Sequence, residues 1–500
     1  MGIIGRQGFK KTVISYIGVL IGLIATLYVY PLEEAMYGLA RFLMSIATLL
    51  SPIMTLGVHS LVVRFFPYFR DNETGHHGFL GFLLMVSSIS YFVFGVLLLI
   101  WRDEFYDLLR AIDMNVEVFS ENLLETGILV FFLSLSMIFT GYISNFKRIV
   151  IPGIFNSLIL KIGLPVLILW VYFQLFQEPH FKWGLILIHA VILISLVLYT
   201  YHLGELHLKP DFTFITRKLA SRMGGYSLHG IIASLGATIA FKIDAIMTAS
   251  MLGFASTGIY SIADNIAGVI ASPYQSIKEI SAPIIAQNLH DGDLENVEKI
   301  YKSSSIAMLI AGVGMLITVY ICLDALFFMS SETQILAQGK SIVLLLGTAK
   351  VIDMAAGINN HIISFSSLYR WNIILILILG ILNIGFNYIL IPRLGINGAA
   401  LATLLSMTIY NVAKLIFVWV RFKLLPFTFR HIWVLVIALI SYLAGFIIPD
   451  SGLGFLNLVL KGGVTAGVFG SIVLYFNFSP EITEMVQKLK GQFFRFLNVK

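Results

Sequence analysis

Long apolar runs separated by short polar joints make up almost the whole chain. Fourteen such runs lie near residues 12–31, 36–58, 78–100, 123–146, 151–173, 182–201, 225–249, 258–276, 303–328, 336–358, 371–391, 397–420, 431–449 and 455–477. Stretches such as "VISYIGVLIGLIATLYVY" and "FLLMVSSISYFVFGVLLLI" are long enough to cross about 30 Å of hydrocarbon. They lack the polar/apolar alternation that barrel strands show over about 10 residues. The pattern therefore predicts an all-α integral membrane protein with about 14 transmembrane helices. The first run follows Arg6, Lys10 and Lys11 and has no small-residue cleavage pattern, so it reads as a retained anchor.

Composition agrees with this and adds orientation. Of the 500 residues 58% are hydrophobic and 12% charged, against about 25% charged in soluble domains, and mean hydropathy is +0.90. The formal charge of +6 could suggest nucleic acid. With the N-terminus inside, however, 22 basic residues fall in cytoplasmic segments and 4 in outer ones. That bias places both termini in the cytoplasm and accounts for the basic excess, so no nucleic-acid partner is expected. A single cysteine, Cys322, excludes an internal disulfide and makes a cysteine metal site implausible.

The longest outer loop, "WRDEFYDLLRAIDMNVEVFSEN", has helix-like spacing and is expected on the membrane surface. The tail 479–500 puts Ile482, Met485, Leu489, Phe493 and Phe496 on one face, the pattern of an interfacial helix on anionic lipid.

Two stretches look alike. "YGLARFLMSIATLLSP" runs from Tyr37 through Gly38 to Pro52, and "GIYSIADNIAGVIASP" from Gly258 to Pro273. They fall on the second and eighth helices, so both copies cross in the same direction. That predicts two pseudo-symmetric six-helix lobes. The expected division is an N-lobe at 1–205, a cytoplasmic connection at 206–224, a C-lobe at 225–424, two further helices at 425–478 and the tail at 479–500. Pro52, Pro165 and Pro273 are expected to bend their helices.

Charges inside apolar runs are the candidate chemistry. Each costs about 3 kcal/mol at mid-bilayer, so most must face protein, water or a ligand. The first six helices hold Arg41 and Lys161 with no acid in their interiors. The second lobe mixes Lys242, Asp244, Asp264, Lys350, Asp353 and Lys414. A cationic wall at this depth suits an anionic substrate. Lys242 and Asp244 are two residues apart, about 200° around a helix, so they diverge. We expect one to face a cavity and the other to be tied to a neighbouring helix. Lys350 and Asp353, at i and i+3, are expected to form a structural ion pair.

Three stretches resemble the Wzx-type polysaccharide flippases of the multidrug/oligosaccharidyl-lipid/polysaccharide (MOP) exporter superfamily. "DAIMTASMLGFASTGIYSIADNIA" carries Asp244, Gly253, Gly258 and Tyr260; "IPRLGINGAALATLLS" carries Pro392, Gly395, Gly398, Ala399, Ala400 and Thr403; "LGVHSLVVRFFPYF" carries Arg64. The likeness covers length and topology over the whole chain, and the motifs about a tenth of it. The Gly398-Ala399-Ala400 run also reads directly as close helix packing, as do Gly18 and Gly22.

The resemblance implies a flippase, not an enzyme, that carries a polyprenyl-pyrophosphate-linked oligosaccharide outward by alternating access in the bacterial inner membrane. Arg41, Lys161, Lys242 and Lys414 would contact the pyrophosphate. Asp244 and Asp264 would carry a coupling proton or sodium ion. Membrane lipids and other polysaccharide-assembly proteins are the expected partners, with no cofactor and no metal. A lipid II flippase, a multidrug exporter of the same superfamily and a membrane glycan polymerase are the alternatives. Short outer loops argue against the polymerase. "GKS" at Gly339–Ser341 lacks the leading glycine of a phosphate loop, "DGDLE" at Asp291–Glu295 lacks the rest of a calcium loop, and His76-His77 reads as solvated.

Overall fold

A computed structural model describes residues 18–480 except 112, 149 and 331, together with residue 483. Most of the expected tail helix, and the start of the first apolar run, lie outside the described residues. Among the described residues every regular element is helical.

In chain order the helices are α1 (Glu34–Met54), α2 (Val58–Phe69), α3 (Phe79–Ile100), α4 (Arg102–Ala111), α5 (Val116–Ser120), α6 (Leu123–Ser144), α7 (Val150–Tyr172), α8 (Glu178–His202) and α9 (Arg217–Leu252). There follow α10 (Phe254–Ile270), α11 (Ser272–Asp291), α12 (Leu294–Phe328), α13 (Thr333–Gln338), α14 (Lys340–Ala355) and α15 (Asn359–Phe365). The last four are α16 (Arg370–Leu394), α17 (Ile396–Phe422), α18 (Phe429–Phe446) and α19 (Gly454–Tyr475).

Within the described residues each of the fourteen expected runs is occupied by helix. Eleven helices among the described residues are long and apolar enough to cross a membrane, or twelve if α14 and α15, bent by 52°, form one span. Two details account for the lower number. The first two runs join into one path, Gly18–Met54, through a π turn at Ala25–Val29 and a 3-10 turn at Tyr30–Glu33. Pro31 lacks the N–H that a regular helix needs at that point, and a tighter turn absorbs it. The eighth run is α10, which has only 17 residues.

Two compact units make up the chain, one reaching from the N-terminal side to Ser261 and including Asn387–Ile396, the other comprising Ile262–Phe386 and Asn397 onward. The borders fall inside α10 and α16 and at the first residue of α17. In the first unit an aromatic cluster of Phe65, Phe66, Phe69, Phe79 and Tyr142 ties α2, α3 and α6 together. Phe69 stacks on Phe79 at 4.4 Å. α9, expected in the second lobe, packs within this unit against α1 and α2. The reason is local: Gly57, at φ 63°, has no Cβ, and a Cβ there would lie 2.6 Å from the Ser227 carbonyl of α9. Ser227 Oγ in turn donates to the Leu56 carbonyl. Thr216 caps α9, its hydroxyl accepting from Leu219 N–H at 3.2 Å.

The second unit buries Ile270, Ile310, Val313, Val434, Ile437 and Phe469 from α10, α12, α18 and α19. Asp293 caps α12 by accepting from Asn296 N–H at 3.0 Å. Cys322 is a buried free thiol.

Candidate functional site

In the first unit the carboxylate of Asp244 is the polar centre. α9 places it 6% exposed in the membrane-spanning part of the helix. Tyr260 on α10 donates its hydroxyl to Oδ2 at 3.0 Å, and Asn387 on α16 donates Nδ2 to Oδ1 at 2.6 Å. Thr248 Oγ1 bonds the Asp244 carbonyl one turn on. Lys242, two residues earlier on α9, is half-buried, and Asp244 is tied to neighbouring helices.

Asn387 and its neighbour in the pattern, Asn383, were passed over in the sequence because they carry no charge. Their i, i+4 spacing in an apolar run was the available signal; both are at most 1% exposed.

Gly38 and Gly258, the matched residues of the repeat, lie together in this unit. A Cβ on Gly38 would overlap the Phe254 carbonyl, and one on Gly258 the Glu34 carbonyl. Arg41, half-buried, follows Gly38 by three residues on α1. Its charge acts on Tyr30, which stacks on Tyr37 at 4.0 Å.

Lys161 sits at the midpoint of α7, eleven residues from Val150 and from Tyr172. At 1.5 Å per residue that is about 16 Å from each helix end. The glycines of the first run face it: a Cβ on Gly18 would stand 3.3 Å from Lys161 Nζ, and one on Gly22 would be 3.9 Å from its Cε. Among the described residues no carboxylate comes within 4.0 Å of this ammonium. Arg64 projects exposed from α2.

The second unit corrects one pairing. Lys350 bonds Asp264 at 3.3 Å, across from α14 to α10, and not Asp353. Sharing a helix face does not fix the partner. Asp353 instead lies near the Tyr274 hydroxyl of α11 and near Lys414. Lys414 is 2% exposed and lies over the Tyr410 ring, 4.4 Å from its centroid. It is within electrostatic reach of Asp353 and Lys278. Lys278 covers the Tyr274 ring at 4.5 Å. Gly398, Ala399, Ala400 and Ala402 are buried at the start of α17, where Thr403 donates to the Ala399 carbonyl at 3.2 Å.

A further correction concerns His76, which is 1% exposed rather than solvated. Asp71 N–H donates to its Nδ1 at 3.1 Å, leaving Nε2 as donor to Glu205 at 2.9 Å. His77 stacks on Phe214 at 3.8 Å and bonds Asp211. The segments flanking α3 and α9 are thus strapped together. Thr74 hydroxyl and the Glu73 N–H hold the Asp71 carboxyl below its ordinary range. Thr213 and His77 do the same for Asp211. No group of three or more metal-ligating side chains occurs among the described residues.

Residues 5–289, more than half of the chain, match the family model for polysaccharide biosynthesis proteins. No curated protein matches in sequence. Among solved structures, the lipid II flippase MurJ in an inward closed conformation superposes with a TM-score of 0.70 at 16% identity, over 93% of this chain and 98% of that one. An inward-facing multidrug resistance MATE family transporter of the MOP superfamily gives 0.63 at 15% identity, over 81% of this chain and 94% of the other. A MATE structure in complex with MaL6 gives 0.54 at 14% identity, over 84% and 96%. These likenesses concern the fold.

Proposed function

This multi-span membrane chain belongs to the polysaccharide biosynthesis protein family, and from that premise we propose that it is a Wzx-type flippase for a polyprenyl-pyrophosphate-linked oligosaccharide. It would act by alternating access in a bacterial inner membrane. The observation that carries the reading is Lys161. A lysine at the centre of a spanning helix, with no carboxylate beside it among the described residues, needs water or an anionic ligand. The Gly18 and Gly22 face leaves the ammonium room, and a pyrophosphate supplies the countercharge. Arg41 and Lys242, in the same unit, are assigned to the same headgroup, and Lys414 of the second unit is assigned to headgroup contact separately.

Coupling is assigned to Asp244, a buried carboxylate that accepts from Tyr260 and Asn387 and can take up a proton or sodium ion. Asp264 has its charge met by Lys350 and is no longer assigned this role.

The test is transport in proteoliposomes, with a short-chain polyprenyl-pyrophosphate chitobiose as probe and a membrane-impermeant lectin reading the far leaflet. Wild type is expected to expose the sugar. Lys161→Ala should slow exposure at least tenfold while inserting and eluting normally, and Lys161→Arg should retain part of the rate. Wild-type rates in Lys161→Ala would remove the role. A second reading, the lipid II flippase, is favoured by the MurJ-like fold; lipid II also presents a pyrophosphate, so competition between the two lipids decides. An organic cation meets like charge at Lys161 and is expected not to compete.

A further inference from the structure

The surface helices α4 and α5 do more than close a loop. Between them Asp113, Met114 and Asn115 dock on the ends of α9 and α16 and line an open pocket of about 430 Å³ within the first unit. Asn115 N–H donates to Ser250 Oγ at 2.7 Å, and Tyr388 donates to Asp113 Oδ2 at 3.0 Å. These two bonds span from the loop to two separate helices. The basic-residue bias places all three segments on the outer side.

The lining has two characters. One side offers spare hydrogen-bonding groups: Asp113 Oδ1, Asn115 Nδ2 and the Ser250 hydroxyl proton have no partner among the described residues. The other is apolar, made by Met251, Leu252 and Pro392. A carboxylate acceptor beside amide and hydroxyl donors suits the vicinal hydroxyls of a sugar, each both donor and acceptor. A flat apolar wall suits the C–H face of the same ring. Asp113 also occupies a left-handed position, φ 55°, behind α4, where its N–H closes on the Arg110 carbonyl. Glycine or asparagine is the usual residue there. The chain holds a carboxylate in that position instead, at the rim of the pocket.

We propose that this pocket is an outer saccharide subsite, which takes a pyranose unit of the glycan as it emerges. The inference rests on the flippase reading for its role in delivery, but binding itself does not. A pyranose bound at the outer face, held by one acid and no base, gives neutral or amino sugars the advantage over uronic acids.

The test is saturation-transfer NMR on the full chain in nanodiscs, with glucose, galactose, N-acetylglucosamine, glucosamine and glucuronic acid as probes. Transfer to ring protons of at least one neutral or amino sugar is expected, with none to glucuronic acid. Leu252→Trp, which crowds the apolar wall of the pocket, should abolish it. Asp113→Ala should weaken it at least tenfold, and Asp113→Asn, which keeps one acceptor, should weaken it less. The absence of transfer from every sugar in wild type, or equal transfer in Leu252→Trp, overturns the subsite. Normal liposome transport alongside absent sugar binding would remove the subsite and leave the flippase standing. Sugar binding without transport would support the subsite and remove the flippase.

Discussion

Gly38 and Gly258 meet backbone to backbone, each turning the face that lacks a side chain toward a carbonyl of the other's helix. The contact is reciprocal: the Phe254 carbonyl faces Gly38, and the Glu34 carbonyl faces Gly258. They are also the residues that open the two copies of the internal repeat. Two segments alike in sequence therefore touch through the position they share. With lipid outside there is no hydrophobic drive between helices, and close approach through small residues supplies the packing.

Gly38→Ala and Gly258→Ala should each destabilise the chain by at least about 1–3 kcal/mol, because a backbone carbonyl cannot swing aside. Gly268 on α10 has open space where a Cβ would go. Gly268→Ala should be neutral or stabilising by about 0.5–1 kcal/mol. Thermal unfolding in detergent measures all three; an unaffected midpoint in Gly38→Ala would contradict the contact.

The Asp244 centre predicts non-additivity. Tyr260→Phe removes a hydrogen bond to a buried carboxylate and should cost about 1.5–3 kcal/mol. In an Asp244→Asn background the same change should cost clearly less, because the acceptor has lost its charge. Equal losses in both backgrounds would mean that Tyr260 acts through packing alone.

How far the sequence carried depended on the kind of contact. Apolar run length located the long spanning helices, because a span must satisfy its own backbone hydrogen bonds, but not the shorter α2, α4 and α5 or most of α11. Spacing also told which charges share a helix face. It did not tell which neighbour meets a face. Lys350 and Asp353 share one, yet Lys350 pairs with Asp264 on another helix. His76 read as a loop residue because Glu205 lies 129 positions away. Asn387 was missed because an apolar run conceals a neutral amide better than a charge.

The Lys350 correction can be tested directly. Lys350→Ala and Asp264→Ala should couple by about 0.5–3 kcal/mol in a double-mutant cycle, whereas Lys350→Ala and Asp353→Ala should be nearly additive. The pair is partly exposed, side chains 29% and 33%, so the lower end of that range is expected. A larger coupling to Asp353 than to Asp264 would restore the i, i+3 pairing.

The strap between the segments before α3 and α9 has a pH signature. Asp71 and Asp211 titrate below their ordinary value of 3.8 in the folded chain. A depressed carboxylate stabilises the fold above its unfolded value and loses that contribution as pH falls through the folded one. The contribution of these two carboxylates should therefore be constant above about pH 5 and be lost only in acid. Amide exchange of residues 73–78, corrected for intrinsic rates, should show protection falling below about pH 4. Asp71→Asn with Asp211→Asn should flatten that fall. An unchanged acid limb in the double variant would assign the effect elsewhere.

The last prediction separates room for the Lys161 ammonium from stability. A methyl on Gly18 would stand 3.3 Å from Nζ, close enough that the lysine must give by a few tenths of an ångström. The neighbour is the far end of a flexible side chain, so Gly18→Ala should fold and insert with little change in unfolding midpoint. The ammonium would nevertheless be shifted and its approach by a headgroup narrowed. Transport should therefore fall further in Gly18→Leu than in Gly18→Ala. Gly22→Ala, whose methyl would reach the Lys161 stem at an ordinary 3.9 Å, should transport nearly as wild type. If Gly22→Ala were as damaging as Gly18→Leu, the glycines would matter for helix packing, and the space around Lys161 would not be what they protect.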